Sequence, residues 1–592
     1  MRQPRCLNQP LLNHQQGAAL LLFFLAVLIT GTLLIAGRVA LDRGSVQYED
    51  RTSEALARAK EALIAYAVSH YETDDQGRYG VLPCPESSAS LSEGIQAGNC
   101  NGANINADPG RLPWKNLAVD SLKDGSGECL WYVVSAGYKK NTPSGMLNED
   151  TPGMFVLRDE NGDIIQGNTP EDRVVAVVIA PGPQLAGQAR PNPDLNDPPC
   201  VVAHDAVLAA DYLDATGSYD NSDVVAAADS IDDFVTAINL QGSNINDRII
   251  TITAGEIFDA IRQQTAFDTR MQTLTEALAQ CIGKYGIDNV QAGGPCPDVN
   301  QCRADCDDDR DACRFGCGIQ RLLCLLSGNP SNVCNQQRND CRSACDDTRT
   351  ACRDACVNCT GGADIYRLPW PAPVDLGLAD YRLNDSYLDR TSTQAGADGL
   401  LGRLPFNVNN SSTAITSQSG NPMPSTDEFL ELCTGITLND GTVVDLSTPP
   451  PPPPPPSPPV PPNEYRVLYE NWKDHFFYVV GEAYAPSSTN NTCTVGVNCP
   501  SSLGATSNPY AAIVFYSDER TGGQLRRSNE TDPGLGTKDV IGNYLEGSNS
   551  INLPDLPGSG EYNVNSGNDY YCLIDDQPQA NVPARFTVTC GP

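Results

Sequence analysis

The chain has 592 residues, enough for two to four domains that each bury a core. Lys plus Arg number 39 against 73 Asp plus Glu, giving a net charge of −34. That field repels nucleic acid and anionic membrane surfaces unless a basic patch breaks it, and no run of Lys or Arg does, so no nucleic-acid partner is expected.

The four histidines (His14, His70, His204, His475) lie in separate segments, so a histidine metal cluster would need long-range convergence. The 23 cysteines point instead to an oxidising compartment. In chain order, "MRQPRCLNQPLLNHQQG" (1–17) is polar, carries Arg2 and Arg5, and has no acidic residue. It is followed at once by the apolar run "AALLLFFLAVLITGTLLIA" (18–36), long enough to span a bilayer as a helix. The plain reading is a signal anchor with the bulk of the chain outside the cytoplasm. The polar leader, the terminal Gly and the immediate apolar start also resemble a type IV prepilin leader.

That resemblance implies cleavage after Gly17 by a prepilin peptidase, methylation of the new N-terminus at Ala18, and a place for 18–36 in a filament core. It further implies other pilin or pseudopilin subunits as partners through the N-terminal helix. The bacterial inner membrane would hold the chain before assembly, with the bulk in the periplasm or on a surface filament afterwards. Most pilins carry Glu at the fifth mature position, where this chain has Leu22. An unanswered charge in an apolar core is costly, so Leu22 is closer to large tip or priming subunits, such as the K-type pseudopilin of type II secretion and some X-type minor pilins.

Residues 51–71 place Leu56, Ala59, Leu63, Tyr66 and Ala67 at helical spacing, which predicts a continuation of the N-terminal helix. Short β-branched and aromatic runs punctuated by Gly and Pro then predict antiparallel sheet with irregular loops. These landmarks recur in order. "EALIAYAVSHY" (61–71) is echoed by "EALAQCIGKYG" (276–286), "VLPCPES" (81–87) by "RLPWPAP" (367–373), and "GRLPW" (110–114) by "GRLPF" (402–406). "GECLWYVVSAGY" (127–138) matches "KDHFFYVVGEAY" (473–484), "VAVVIAPGPQLAGQAR" (175–190) lies on "AAIVFYSDERTGGQLR" (511–526), and "DYLD" (211–214) on "NYLE" (543–546).

The expected fold is therefore α+β: a long pilin-like N-terminal helix and two duplicated helix-plus-antiparallel-sheet modules, at 37–240 and 241–592. The second module holds two insertions: a cysteine-rich stretch at 296–359, and "TPPPPPPPPSPPVPPN" (448–463), a polyproline II rod best read as a stiff spacer.

The cysteines of 302–356 form two sets of five. At about 100° per residue each set falls within roughly 60° on one helix face. "SGNPSN" (327–332) supplies a turn between them. Folded antiparallel, the sets pair symmetrically about Asn329: Cys324–Cys334, Cys317–Cys341, Cys313–Cys345, Cys306–Cys352 and Cys302–Cys356. Cys296–Cys359 would be a further rung, slightly out of register. Apart from "LLCLL" the helices are too polar to hold together unaided, so a disulfide ladder supplies what a core cannot. A zinc site fits less well, for want of short knuckles and a nearby His.

Cys6 lies in the leader. Among the remaining cysteines, proximity pairs Cys84–Cys100, Cys129–Cys200, Cys493–Cys499 and Cys572–Cys590, and elimination leaves Cys281 with Cys433. "RDENGDII" (158–165) has the alternation of a calcium loop at Asp159, Asn161 and Asp163, but a hairpin turn at Asn161-Gly162 accounts for it better. Calcium is the one cofactor these residues leave open, and no metal site is otherwise expected. No phosphate loop, nucleophile elbow or paired catalytic His is present, so no enzyme is expected. The expected role is a minor pilus or pseudopilus subunit serving assembly, adhesion or substrate contact. The alternative is a membrane-anchored periplasmic or surface binding protein that never enters a filament.

Overall fold

The computed structural model describes residues 46–72, 78–86, 93–102, 105–140, 146–190, 200, 209–238, 245–264, 266–288, 290–291, 299–327, 329–357, 365–374, 381–389, 400–408, 427–447, 463–486, 488, 491–494, 497–502, 509–521, 523–527, 538–546, 561–562, 569–576 and 586–591. The leader, the apolar run 18–36 with Gly17, Ala18 and Leu22, and the polyproline stretch up to 462 lie outside them. Among the described residues no helix is long and apolar enough to cross a membrane.

Residues 46–69 are helical (α1), and the predicted stripe is the buried one: Leu56, Ala59, Leu63, Tyr66 and Ala67 all face the core. The first sheet is built from β1 (Gly110–Arg111), β2 (Trp131–Val134), β3 (Phe155–Arg158), β4 (Ile164–Gln166), β5 (Val174–Ala180), β6 (Asp232–Val235) and β7 (Arg248–Thr253). β5 is its spine, antiparallel to β2 on one side and to β7 on the other. β3 joins β5 at Phe155↔Val174, pairs antiparallel with β4, and runs parallel to β6. The parallel pair departs from the all-antiparallel expectation. The long connection between β3 and β6 gives the chain room for the crossover that a parallel pair requires.

Two helices follow, α2 (Ala254–Gln264) and α3 (Phe267–Asp288), then the hairpin α4 (Val299–Leu326) and α5 (Ser331–Val357). The second sheet is fully antiparallel: β8 (Leu401–Arg403), β9 (Phe476–Val480), β10 (Ala512–Tyr516), β11 (Tyr570–Asp576) and β12 (Phe586–Gly591), in that spatial order, with α6 (Glu464–Trp472) leading into β9. α3 packs across β10, β11 and β12.

The two sheets share one plan to the residue. β1–β2–β5–β7 corresponds to β8–β9–β10–β11. Gly110↔Tyr132 in one is Gly402↔Tyr478 in the other, and Tyr132↔Val178↔Ile250 is Tyr478↔Val514↔Cys572. Small contacts repeat as well. Leu82 N donates to Tyr138 O at 2.7 Å, and Leu368 N to Tyr484 O at 2.8 Å. Glu86 bridges Arg111 as Ala372 bridges Arg403. The first sheet continues past the expected module boundary at 240, because "RIITIT" of β7 completes the ladder on β5. The first sheet therefore extends to Thr253.

Runs such as "VVAVVIA" and "FFYVV" form strands because β-branched and aromatic side chains suit a pleated surface. They are apolar without alternation because both faces are covered. Tyr132, Val134, Tyr478 and Val480 face a large helix-side core, while Trp131, Val133, Phe477 and Val479 face smaller clusters on the opposite side. The helix-side core runs through both modules. Trp472 sits at the junction, its ring 4.9 Å from that of Phe267, 5.9 Å from Phe258 and 6.4 Å from Tyr79.

Gly110 and Gly402 are required by close backbone approach. A Cβ at Gly402 would collide with the Ala372 carbonyl oxygen, as one at Gly110 would with that of Glu86. Gly402→Ala is expected to destabilise the protein by about 1–3 kcal/mol, as overpacking does. A thermal melt checks this, with Gly127→Ala as a partial control: its Cβ would meet nothing, although its φ of 91° carries strain of its own.

Candidate functional site

The outer face of each sheet is roofed by loops, so their buried carbonyls need donors from the protein itself. Arginine supplies them in both copies. Arg190 donates to Gly182 O at 2.7 Å, to Tyr212 O at 3.1 Å and to Gln188 Oε1 at 2.8 Å. Its counterpart Arg526 donates to Asp518 O at 3.0 Å, to Tyr544 O at 3.4 Å and to Gln524 Oε1 at 2.7 Å. Gly187 and Gly523, which open the two Gly-Gln-x-Arg stretches, both hold positive φ, 108° and 99°. A second arginine closes each roof. Arg111 lies 4.3 Å from the ring centroids of both Trp131 and Tyr212, and Arg403 lies 5.0 Å from Phe477 and 4.8 Å from Tyr544. An aspartate just before the last shared strand completes the set: Asp247 Oδ2 accepts from Asp214 N at 2.8 Å, and Asp569 Oδ2 from Glu546 N at 3.2 Å.

The copies diverge where Glu128-Cys129 becomes Asp474-His475. Cys129 is bonded to Cys200. His475 instead reaches the first module, its Nε2 3.0 Å from Asp150 Oδ2. Its Nδ1 lies 2.8 Å from the Ser517 carbonyl oxygen, which can only accept, so Nδ1 carries a proton. Asp474 Oδ2 takes Lys538 Nζ at 2.7 Å and the Tyr544 hydroxyl at 3.2 Å. Its Oδ1 accepts from Asn148 Nδ2 at 2.9 Å, and Arg526 Nη1 stands 3.7 Å from Asp150 Oδ2. The Asp150, Asp474, His475 and Lys538 side chains are 0% exposed, so these charges interact with little solvent screening.

Protonation follows from that enclosure. Burial opposes ionisation of Asp474, but Lys538, His475 and Arg403 outweigh it and hold its pKa at about 2. Asp150 is likewise held well below the carboxylate range, burial being outweighed by Arg526 and His475. Burial disfavours the imidazolium of His475, yet Asp474 and Asp150 raise its pKa above the ordinary value. Asp150, Asp474 and His475 present one ligand atom each within 4.8 Å of one another. Lys538 and Arg526 already supply positive charge there, so the chemistry is that of an ion-pair lock between modules rather than a metal centre. In the sequence His475 stands alone in its segment. The available signal was the acid that Glu128 and Asp474 share at one repeat position.

Beside this lock, a cavity of about 120 Å³ lies at the module junction, its lining including Arg173, Arg382, Arg527 and Asp229. Arg382 Nη1 pairs with Asp229 at 3.2 Å. Arg527 is spent on the Glu149 carbonyl, at 3.0 and 2.8 Å, and on that of Glu171.

In the hairpin the structure bonds Cys313 to Cys345, Cys317 to Cys341 and Cys324 to Cys334, with Cα separations of 5.9, 5.9 and 5.7 Å. Cys306 is also disulfide-bonded, while Cys296, Cys359 and the side chains of Cys302, Cys352 and Cys356 lie outside the described residues. The sulfurs of Cys313, Cys317 and Cys345 cluster because neighbouring rungs are close, Cys317 Sγ lying 3.6 Å from Cys345 Sγ. Sulfur spent in disulfides offers no thiolate to a metal. Arg314–Asp346 and Arg349–Asp307 pairs tie the helices further. Elsewhere Cys84–Cys100, Cys129–Cys200, Cys281–Cys433, Cys493–Cys499 and Cys572–Cys590 are bonded. At the calcium-like stretch, Asp159 Oδ1 accepts from Asn161 N and Asp163 N, both at 2.9 Å, and Gly162 has φ 89°. Those bonds make a hairpin turn between β3 and β4.

No family model matches the chain, and no curated protein or solved structure matches it either.

Two outcomes test the lock. Lys538→Met leaves Asp474 without its closest cation and is expected to cost about 3–5 kcal/mol in denaturant unfolding. For pH, Asp569 and Glu86 are both pushed up to about 7 by burial, and His475 is raised too. All three hold protons more tightly folded than unfolded. The carboxyls' contribution is complete below about pH 4 and lost as pH rises through about 7; that of His475 is complete below about pH 6.5 and lost as pH rises through its folded value. Asp474 works the other way, its contribution being lost as pH falls from about 4 through about 2. Melting temperature is therefore expected to fall between pH 5 and 8, and Asp569→Asn, which keeps an acceptor for Glu546 N, to flatten that slope.

Proposed function

We propose that the chain is a minor subunit, at the tip or priming position, of a type IV pilus or type II secretion-like pseudopilus. On this reading residues 18–36 reside in the inner membrane until the assembly machinery extracts them into a filament. The two modules and the stapled hairpin then project outward for assembly, adhesion or substrate contact.

The observation that carries the reading is one sequence of features: a polar leader ending at Gly17, an apolar run beginning at Ala18, and then a helix sharing its core with a mainly antiparallel sheet. Leu22 supports a terminal rather than a repeating position, because a subunit without a carboxylate there cannot neutralise a neighbour's N-terminal amine. The disulfides support an extracytoplasmic destination. The inter-module lock and shared core support a rigid head, suited to bearing load at a filament end.

The second reading, a membrane-anchored binding protein that stays out of any filament, rests on the same apolar run. Mass spectrometry of the mature N-terminus separates the two. The filament reading expects a methylated Ala18, and accumulation of uncleaved chain on substitution of Gly17. An intact Met1, or a cut elsewhere, would leave the anchored reading in its place.

A further inference from the structure

α4 has two faces. Its cysteines, Cys313, Cys317 and Cys324, point at α5. Phe315, Ile319, Leu322, Leu323 and Leu326 form a second stripe, centred roughly 160° around the helix from the first at 100° per residue. All five are exposed, Phe315 and Leu326 at 74%, and Val333 at the start of α5 adds to the patch at 42%. An amphipathic helix normally buries such a stripe. Here the disulfides hold α5 on the opposite side, and among the described residues nothing covers the stripe.

The charge around this patch is reversed relative to the molecule. From Ala312 to Asn339 the hairpin carries Arg314, Arg321 and Arg338 and no acidic residue, in a chain of net charge −34. Arg314 pairs with Asp346. Arg321 donates to Asn335 Oδ1 at 2.6 Å and Arg338 to Asn339 Oδ1 at 3.5 Å, so both bond neutral amides and neither charge is compensated by a carboxylate among the described residues. Of the acids of α4 and α5, Asp340 is the nearest to the turn and accepts from Gln336 Nε2 at 2.9 Å, while Asp307, Asp311, Asp346 and Asp347 lie farther from it.

We propose that the turn end of the hairpin docks on an anionic lipid surface, with the Phe315–Leu326 stripe entering the interface and Arg321 and Arg338 meeting headgroups. Apolar area supplies the adhesion and the basic end selects the lipid. The acidic remainder of the molecule is repelled by the same surface, which leaves this end as the part that can approach. A second copy is the weaker occupant, since pairing two such patches sets arginine against arginine. The proposal rests on the hairpin alone and is independent of the filament reading.

The test is made on the full chain with Phe315→Trp, because residues 18–36 could bind lipid by themselves and the reporter must read the patch. Trp131, Trp370 and Trp472 are buried and Trp114 is half-buried, so the parent chain is measured alongside and the signal gained over it reports on position 315. The expected result is a blue shift, and quenching by bromine-labelled acyl chains, with phosphatidylglycerol vesicles but not with phosphatidylcholine vesicles. Raising the salt should weaken it, and Arg321→Glu with Arg338→Glu should weaken it on the order of tenfold or more. No quenching in phosphatidylglycerol vesicles would overturn the proposal. So would a blue shift without vesicles, which would assign the stripe to a second copy if it grows with protein concentration and to another part of this chain if it does not.

Discussion

A carbonyl group buried under a loop has no water to accept from, and both sheets here are roofed by loops. One guanidinium per roof meets a share of that demand, because its fork of donors can serve two carbonyls and a glutamine oxygen at once. Arg190 and Arg526 do this with the same partners in the same geometry. Around them the aromatic rings of Tyr212 and Tyr544, the glycines at positive φ, and the aspartates before the last shared strands fall into fixed places. The sheets can be apolar on both faces only because these roofs close. That closure is why a residue-for-residue register survives between two halves whose loops differ greatly in length.

The second roof carries an addition that the first lacks. By replacing a glutamate–cysteine pair with Asp474 and His475, it reaches Asp150 of the first module and binds the halves through charge as well as through the apolar junction at Trp472. Buried ion pairs are a modest source of stability, since desolvation offsets much of the attraction. They are demanding about geometry. The arrangement therefore fixes how the modules sit together more than it adds to the depth of the folded state.

What the sequence made legible was what repeats at short range. The α1 stripe, the paired landmarks of the two sheets and the mirror-spaced cysteines are periodic signals, and among the described residues they have counterparts in the buried stripe of α1, the matching sheet registers and the three inner rungs of the hairpin. The charged lock was illegible because Asp150, Asp474 and Lys538 come from distant loops, and nothing in their local spacing points them at one another. The sheet to which β7 belongs was illegible for a similar reason. "RIITIT" stands beyond a polar loop and directly before a helix, so only its pairing with β5 reveals which sheet it serves. The parallel pairing of β3 with β6 is also tertiary, a matter of which edge was available.

The nested arrangement of the hairpin bears on how so cysteine-rich a chain finds its bonds. The innermost pair, Cys324 and Cys334, is separated by only 10 residues, the next pairs by 24 and 32. Closing the shortest loop loses the least chain entropy, and once it is closed the next pair is separated only by the short remaining arms. Oxidation can thus proceed from the turn outward like a zip, each bond placing the following two sulfurs side by side. The mirror spacing then acts as a proofreading rule for assembly, keeping these thiols from the partners that the rest of the chain requires.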